Sequence, residues 1–158
     1  MDMDFSGQYR LKRRTFSPAG SVSREESEER DEPLEECVAE VVSCLMNAAT
    51  SFHKLHLRVS GQGAFAAHKA LNELYDALPG HADDLAEGFQ GKAEKLLVYE
   101  ETPPKVLNSV EEALSYLREL DMEICELQLK MPYSEIVNDL DTVKSTLNSG
   151  KYKLLFLK

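Results

Sequence analysis

The stretch His56-Leu-Arg-Val-Ser-Gly-Gln-Gly-Ala-Phe-Ala-Ala-His68 decides how this chain is read, because its Ser60-Gly61-Gln62-Gly63 turn divides two long segments of helical periodicity. Upstream of it, Pro33 suits a first helical position. Apolar residues then recur with helical spacing at Leu34, Cys37, Val38, Val41, Leu45, Ala48, Phe52, Leu55 and Val59. This predicts a first helix over roughly 33–60. Downstream, Phe65, His68, Leu71, Tyr75, Leu78, Ala82, Leu85 and Phe89 form a second stripe that stops near Gly91. The spacing predicts a second helix over roughly 64–90, kinked or locally opened at Pro79 with Gly80 beside it.

Further along, Pro103-Pro104 breaks the pattern. Ser109 with Glu112 three residues later is a capping-box signature that opens a third helix, roughly 109–130. After Met131-Pro132, Ser134 can cap a fourth, carried by Ile136, Val137, Leu140, Val143 and Leu147 and ending at Asn148-Ser149-Gly150. Four amphipathic helices with short connections predict an all-α, antiparallel up-down four-helix bundle over residues 33–150. Residues 151–158, with Tyr152, Leu154, Leu155, Phe156 and Leu157, form an apolar C-terminal tail that either packs back on the bundle or docks on a partner. Residues 1–32 have almost no apolar periodicity. They read as an extended charged tail, basic at Arg10, Lys12, Arg13 and Arg14 and acidic from Glu25 to Glu32.

Composition narrows the classes of function. The 158 residues carry 28 acidic against 18 basic side chains, a formal charge of −10, so a surface built to wrap nucleic acid is not expected. The four basic tail residues could neutralise a few phosphates, or clip onto an acidic protein surface instead. Trp is absent, so the core must be mainly aliphatic, and no apolar run approaches a membrane span. Three cysteines fit a reducing compartment and a core-filling role better than a disulfide framework. A phosphate-binding Gly-rich loop, a nucleophile elbow and a zinc-finger Cys pair are all missing, and no catalytic nucleophile is assigned.

All four histidines, His53, His56, His68 and His81, lie in one segment that runs on to Asp83, Asp84 and Glu87. This is the one concentration of metal-ligand types in the chain. Asp83 and Glu87 are four residues apart and share a helix face, and His56 and His68 flank the turn and should lie close together on antiparallel helices. Imidazole with carboxylate suits iron, zinc or manganese. His68 and Asp83, however, are separated along one helix by roughly 22 Å at about 1.5 Å per residue. If both pairs serve one ion they must come from different chains, most simply across a two-fold axis. Without such an ion, the histidines would be interface or core residues and the carboxylates a solvated face.

The run from His56 through His68, with Leu74-Tyr75 and His81-Ala-Asp83-Asp-Leu-Ala-Glu87 after it, resembles the signature of the Dps mini-ferritins over residues 56–91. It departs from that signature at Leu57, where the family usually has Trp, and at Asn72, where an acidic residue is common. The resemblance implies a ferritin-like, self-associating bundle. It also implies an intersubunit ferroxidase site in which His56 and His68 of one subunit and Asp83 and Glu87 of another hold iron. The stretch Ala86 to Lys92 and the ending Lys151 to Leu157 look closer to small ferritin-like proteins of tailed bacteriophages. That likeness implies an alternative role as a virion structural or assembly protein with its termini as docking arms, placed in the bacterial cytoplasm or the virion. No Glu-x-x-His pair is present, so the di-iron carboxylate pattern of larger ferritins is not expected.

Overall fold

The computed structural model describes residues 33–157. The tail residues 1–32, including Arg10, Lys12, Arg13 and Arg14, lie outside that range. Four helices follow one another: α1 (Leu34–His56), α2 (Ala64–Ala93), α3 (Val110–Lys130) and α4 (Ser134–Phe156). Among the described residues there is no strand. Each helix buries one stripe. Val38, Val42, Leu45 and Phe52 of α1 meet Leu71, Leu74, Leu78 and Leu85 of α2, while Leu117, Ile124, Leu140 and Leu147 close the core from α3 and α4. The core is aliphatic, with Phe52 tilted against Tyr116 at a ring separation of 5.7 Å.

Local chemistry explains where the helices begin and end. α1 carries Glu35 and Glu36 in its first turn and Lys54 in its last, each sign placed where the helix dipole favours it. It stops at His56 rather than near 60, because the amides of Arg58 and Val59 both turn back to the Leu55 carbonyl. Gly61 and Gly63 then take φ values of 88° and 76°, a left-handed backbone that side chains with a Cβ rarely adopt. α3 starts as its signature predicts, with the Ser109 hydroxyl accepting from the Glu112 amide at 3.2 Å. α2 passes through Pro79, which sits exposed, and continues to Ala93.

The connections correct the expectation of a simple up-down bundle. Let the upper end be the one that holds the turn between α1 and α2. At the lower end, Lys95 just past α2 pairs with Glu35 at the start of α1, and Lys130 at the end of α3 reaches Cys37. At the upper end, Arg58 after α1 reaches Asn108 before α3, and Lys153 of α4 pairs with Glu73 of α2. The segment 94–109 therefore travels the full length of the bundle. It is tied at its start by the Leu97 amide on the Gln90 side chain at 2.9 Å, and midway by the Asn47 amide on the Thr102 carbonyl at 2.9 Å. As a result α1 neighbours α2 and α3, α4 neighbours the same two, all four neighbouring pairs are antiparallel, and α2 and α3 sit on a diagonal.

The fourth helix is the second correction. It does not stop at Gly150 but continues through Phe156, so the expected apolar tail 151–158 consists largely of the last turns of α4. A Cβ on Gly150 would lie 2.6 Å from Leu74 Cδ2. Gly150 is thus a point of close approach between α2 and α4 and not a terminator. Of the apolar residues beyond it, Leu154 is buried and Tyr152, Leu155, Phe156 and Leu157 are exposed.

Candidate functional site

The turn 57–63 brings the end of α1 back onto the start of α2, and two histidine rings meet there. His56 is buried, and its ring stacks on that of His68 with centroids 3.7 Å apart. His56 Nδ1 lies 3.0 Å from the backbone carbonyl of His68, and His68 Nδ1 lies 3.2 Å from the backbone carbonyl of His56. A carbonyl oxygen only accepts, so each Nδ1 carries the hydrogen and donates it. In the neutral ring the lone pair is then on Nε2, for both histidines. A backbone carbonyl on Nδ1 is the arrangement that orients metal-binding imidazoles.

Four more side chains complete this corner: His53, Asn72, Tyr75 and Asp76. Tyr75 stacks on His53 with centroids 4.0 Å apart and stands edge-on to His56 at 5.1 Å. Its hydroxyl donates to Asn72 Oδ1 at 3.1 Å, and the Asn72 amide donates in turn to Asp76. Asn72, found where the resembled family often has an acid, therefore spends its side chain on a relay that holds Tyr75. The sequence places Tyr75 on an apolar stripe and, with Leu74, in the stretch that carries the family resemblance, but assigns it no role at the site. The signal within reach was the i, i+3 and i, i+4 spacing of Asn72, Tyr75 and Asp76 on one helix face.

His81 stands apart from the pair. Its Nε2 is hydrogen-bonded to Thr146 Oγ1 at 2.8 Å, which ties α2 to α4. Asp83 and Glu87 are exposed in the second half of α2, one turn apart, and neither makes a hydrogen bond or ion pair among the described residues. The charge of Asp83 adds to burial in raising the phenol of Tyr99 on the crossover segment. Among the described residues, no three His, Cys, Asp or Glu side chains of one chain come together as a metal-holding group. The structure thus joins His56 to His68, and leaves Asp83 and Glu87 as a separate, outward-facing pair on the same helix.

A second polar cluster lies between α1, α3 and the crossover. Lys105 sits 4.4 Å over the Tyr116 ring and pairs with Glu119. Burial pushes the Cys44 thiol and the Tyr116 phenol well above their usual ranges and raises the Glu123 carboxyl. Cys44 is therefore held as a thiol and is a poor nucleophile. None of the three cysteines is in a disulfide. No described helix is long and apolar enough to cross a membrane.

Over residues 56–154 the chain matches the model described as Family of unknown function (DUF5856). The matched region begins at His56 and takes in all four candidate ligands. Comparison with curated proteins and with solved structures finds no match.

Proposed function

The chain belongs to this family of unknown function, and from the geometry we propose that it is a self-associating, ferritin-like bundle that binds Fe(II) between subunits and supports its oxidation. The observation that carries this reading is the reciprocal pairing of His56 and His68. Each ring is locked by the other residue's carbonyl, with its Nε2 lone pair left for a cation. The single long crossover and the all-antiparallel neighbours support the ferritin-like part of the reading. Asp83 and Glu87 lie too far along α2 to join the histidines of their own chain, so a second subunit supplies them.

In this reading iron is the substrate. His56 and His68 supply two neutral nitrogen donors, and Asp83 and Glu87 supply two negative charges that favour the higher oxidation state. Each Fe(II) gives up one electron, and oxygen or peroxide takes the electrons without a protein nucleophile. Tyr75, held by Asn72, closes the edge of His56 and limits the ring positions the pair can take. Anaerobic titration of the purified protein with Fe(II) tests the proposal. Saturable binding is expected in the wild type and none in the His68→Ala/Asp83→Ala double variant. Wild-type protein that binds no Fe(II) would sink the iron reading and leave a virion or assembly role, with the exposed Tyr152, Phe156 and Leu157 as a docking arm.

A further inference from the structure

The two halves of the bundle differ in charge, and each end carries exposed apolar side chains. The upper half, taken as residues 46–78, 101–120 and 145–157, holds seven Lys or Arg against six Asp or Glu. The lower half, residues 33–45, 79–100 and 121–144, holds four against fourteen. At the upper end an open groove of about 310 Å³ is lined by Lys54, Leu57, Arg58, Lys105, Val106 and Leu107. Its wall is apolar and its rim is cationic, with Leu57 73% and Val106 77% exposed. At the lower end Leu129, in the last turn of α3, is 89% exposed and follows the exposed Glu126 by three residues. Leu96, 80% exposed, follows Glu94 just past α2.

A groove rimmed by cations on one end and leucines beside carboxylates on the other are complementary surfaces on the same chain. We propose that the upper groove receives the lower end of a second copy, with Leu129 as the apolar anchor and Glu126 facing Lys54 and Arg58. Such a contact is heterologous: the patch on one subunit meets a different patch on the next, so it propagates along the bundle axis into a ring or a filament. It uses surfaces separate from the outward carboxylates of α2 and does not rest on the iron reading. The charged rim supplies long-range attraction that weakens as salt rises, and the apolar anchor supplies the contact that remains.

Mixing tests this directly. Leu57→Asp/Val106→Asp blocks the upper end, and Leu129→Asp/Leu96→Asp blocks the lower end. All four positions are exposed, so far-UV circular dichroism should match the wild type. By sedimentation velocity at low salt, the wild type is expected to form species larger than either blocked variant, and these species should shrink as salt is raised. An equimolar mixture of the two blocked variants is expected to give a new, larger species, because one intact upper end and one intact lower end remain. Wild-type protein no larger than the variants, or a mixture that sediments as the sum of its parts, would overturn the proposal. Fe(II) titration of the Leu129→Asp/Leu96→Asp variant separates the two readings, since both changes lie at the end of the bundle away from His56 and His68 and leave Asp83 and Glu87 in place.

Discussion

Gly150 shows how one residue type can carry opposite meanings. Near the end of a helical pattern a glycine is usually the left-handed stop, and after Asn148-Ser149 nothing in the local sequence says otherwise. What decides it is Leu74, more than 70 residues away, whose side chain fills the space where a Cβ would be. Gly150→Ala is therefore expected to cost about 1–3 kcal/mol through overpacking. Gly91, in the same kind of helical setting but with open space around it, should gain about 0.5–1 kcal/mol on the same change. Urea denaturation of the two variants side by side gives shifts of opposite sign if the close approach is real. Equal shifts would remove Gly150 from the α2–α4 contact.

Glu123 makes a second prediction at this scale. Burial raises its carboxyl, with Glu40 and Glu119 adding to the effect and Cys44 and Lys105 opposing it, and Glu123 Oε2 has no hydrogen-bond partner among the described residues. Below the unfolded value of about 4.3 both states are protonated and the group is neutral to stability. Above it the unfolded chain ionises while the folded one keeps its proton, so stability falls until the raised folded value is passed and stays low beyond it. Glu123→Gln should flatten that slope, stabilising the protein at pH 8 while changing little at pH 4. Urea midpoints across this range check it, and a variant whose profile parallels the wild type would rule Glu123 out as the source.

At the level of elements, the legible features were those held by local chemistry. The Ser109 cap and the apolar stripes place α3 and α2 close to their expected limits, because caps and periodicity act within a few residues. Ser109→Ala should cost about 1 kcal/mol and let the first turn of α3 fray, visible as lost amide protection from Val110 to Glu112. Unchanged protection there would mean that Glu112, which accepts from the Asn108 amide at 2.7 Å, caps the helix unaided. The route of residues 94–109 was not legible. Pro103-Pro104 announces a break, but that the segment spans the bundle depends on Asn47 and Gln90 side chains from α1 and α2, which no local pattern connects to it. The candidate site divides in the same way. His56 and His68 are brought together by a turn between them and could be foreseen, whereas the carbonyl partners of their rings and the Asn72-Tyr75 relay emerge only when the helices are packed.

For the whole molecule, the proposed site joins histidines at the α1–α2 turn to carboxylates further along α2 of another subunit. An intersubunit site predicts a behaviour that no single-chain site shows. His68→Ala and Asp83→Ala should each abolish saturable Fe(II) binding alone, because every site in either homodimer lacks one ligand. When the two variants are mixed and allowed to exchange subunits, a heterodimer pairs the intact His68 of the Asp83→Ala chain with the intact Asp83 of the His68→Ala chain, rebuilding one of its two sites and doubly damaging the other. Random exchange makes about half the dimers mixed, so about a quarter of the wild-type binding should return. Recovery has to follow the kinetics of subunit exchange and disappear if the subunits are cross-linked before mixing. Binding that persists in Asp83→Ala alone would place the ligands within one chain. Loss in both variants with no recovery after confirmed exchange would show that the histidines and carboxylates do not meet across the interface.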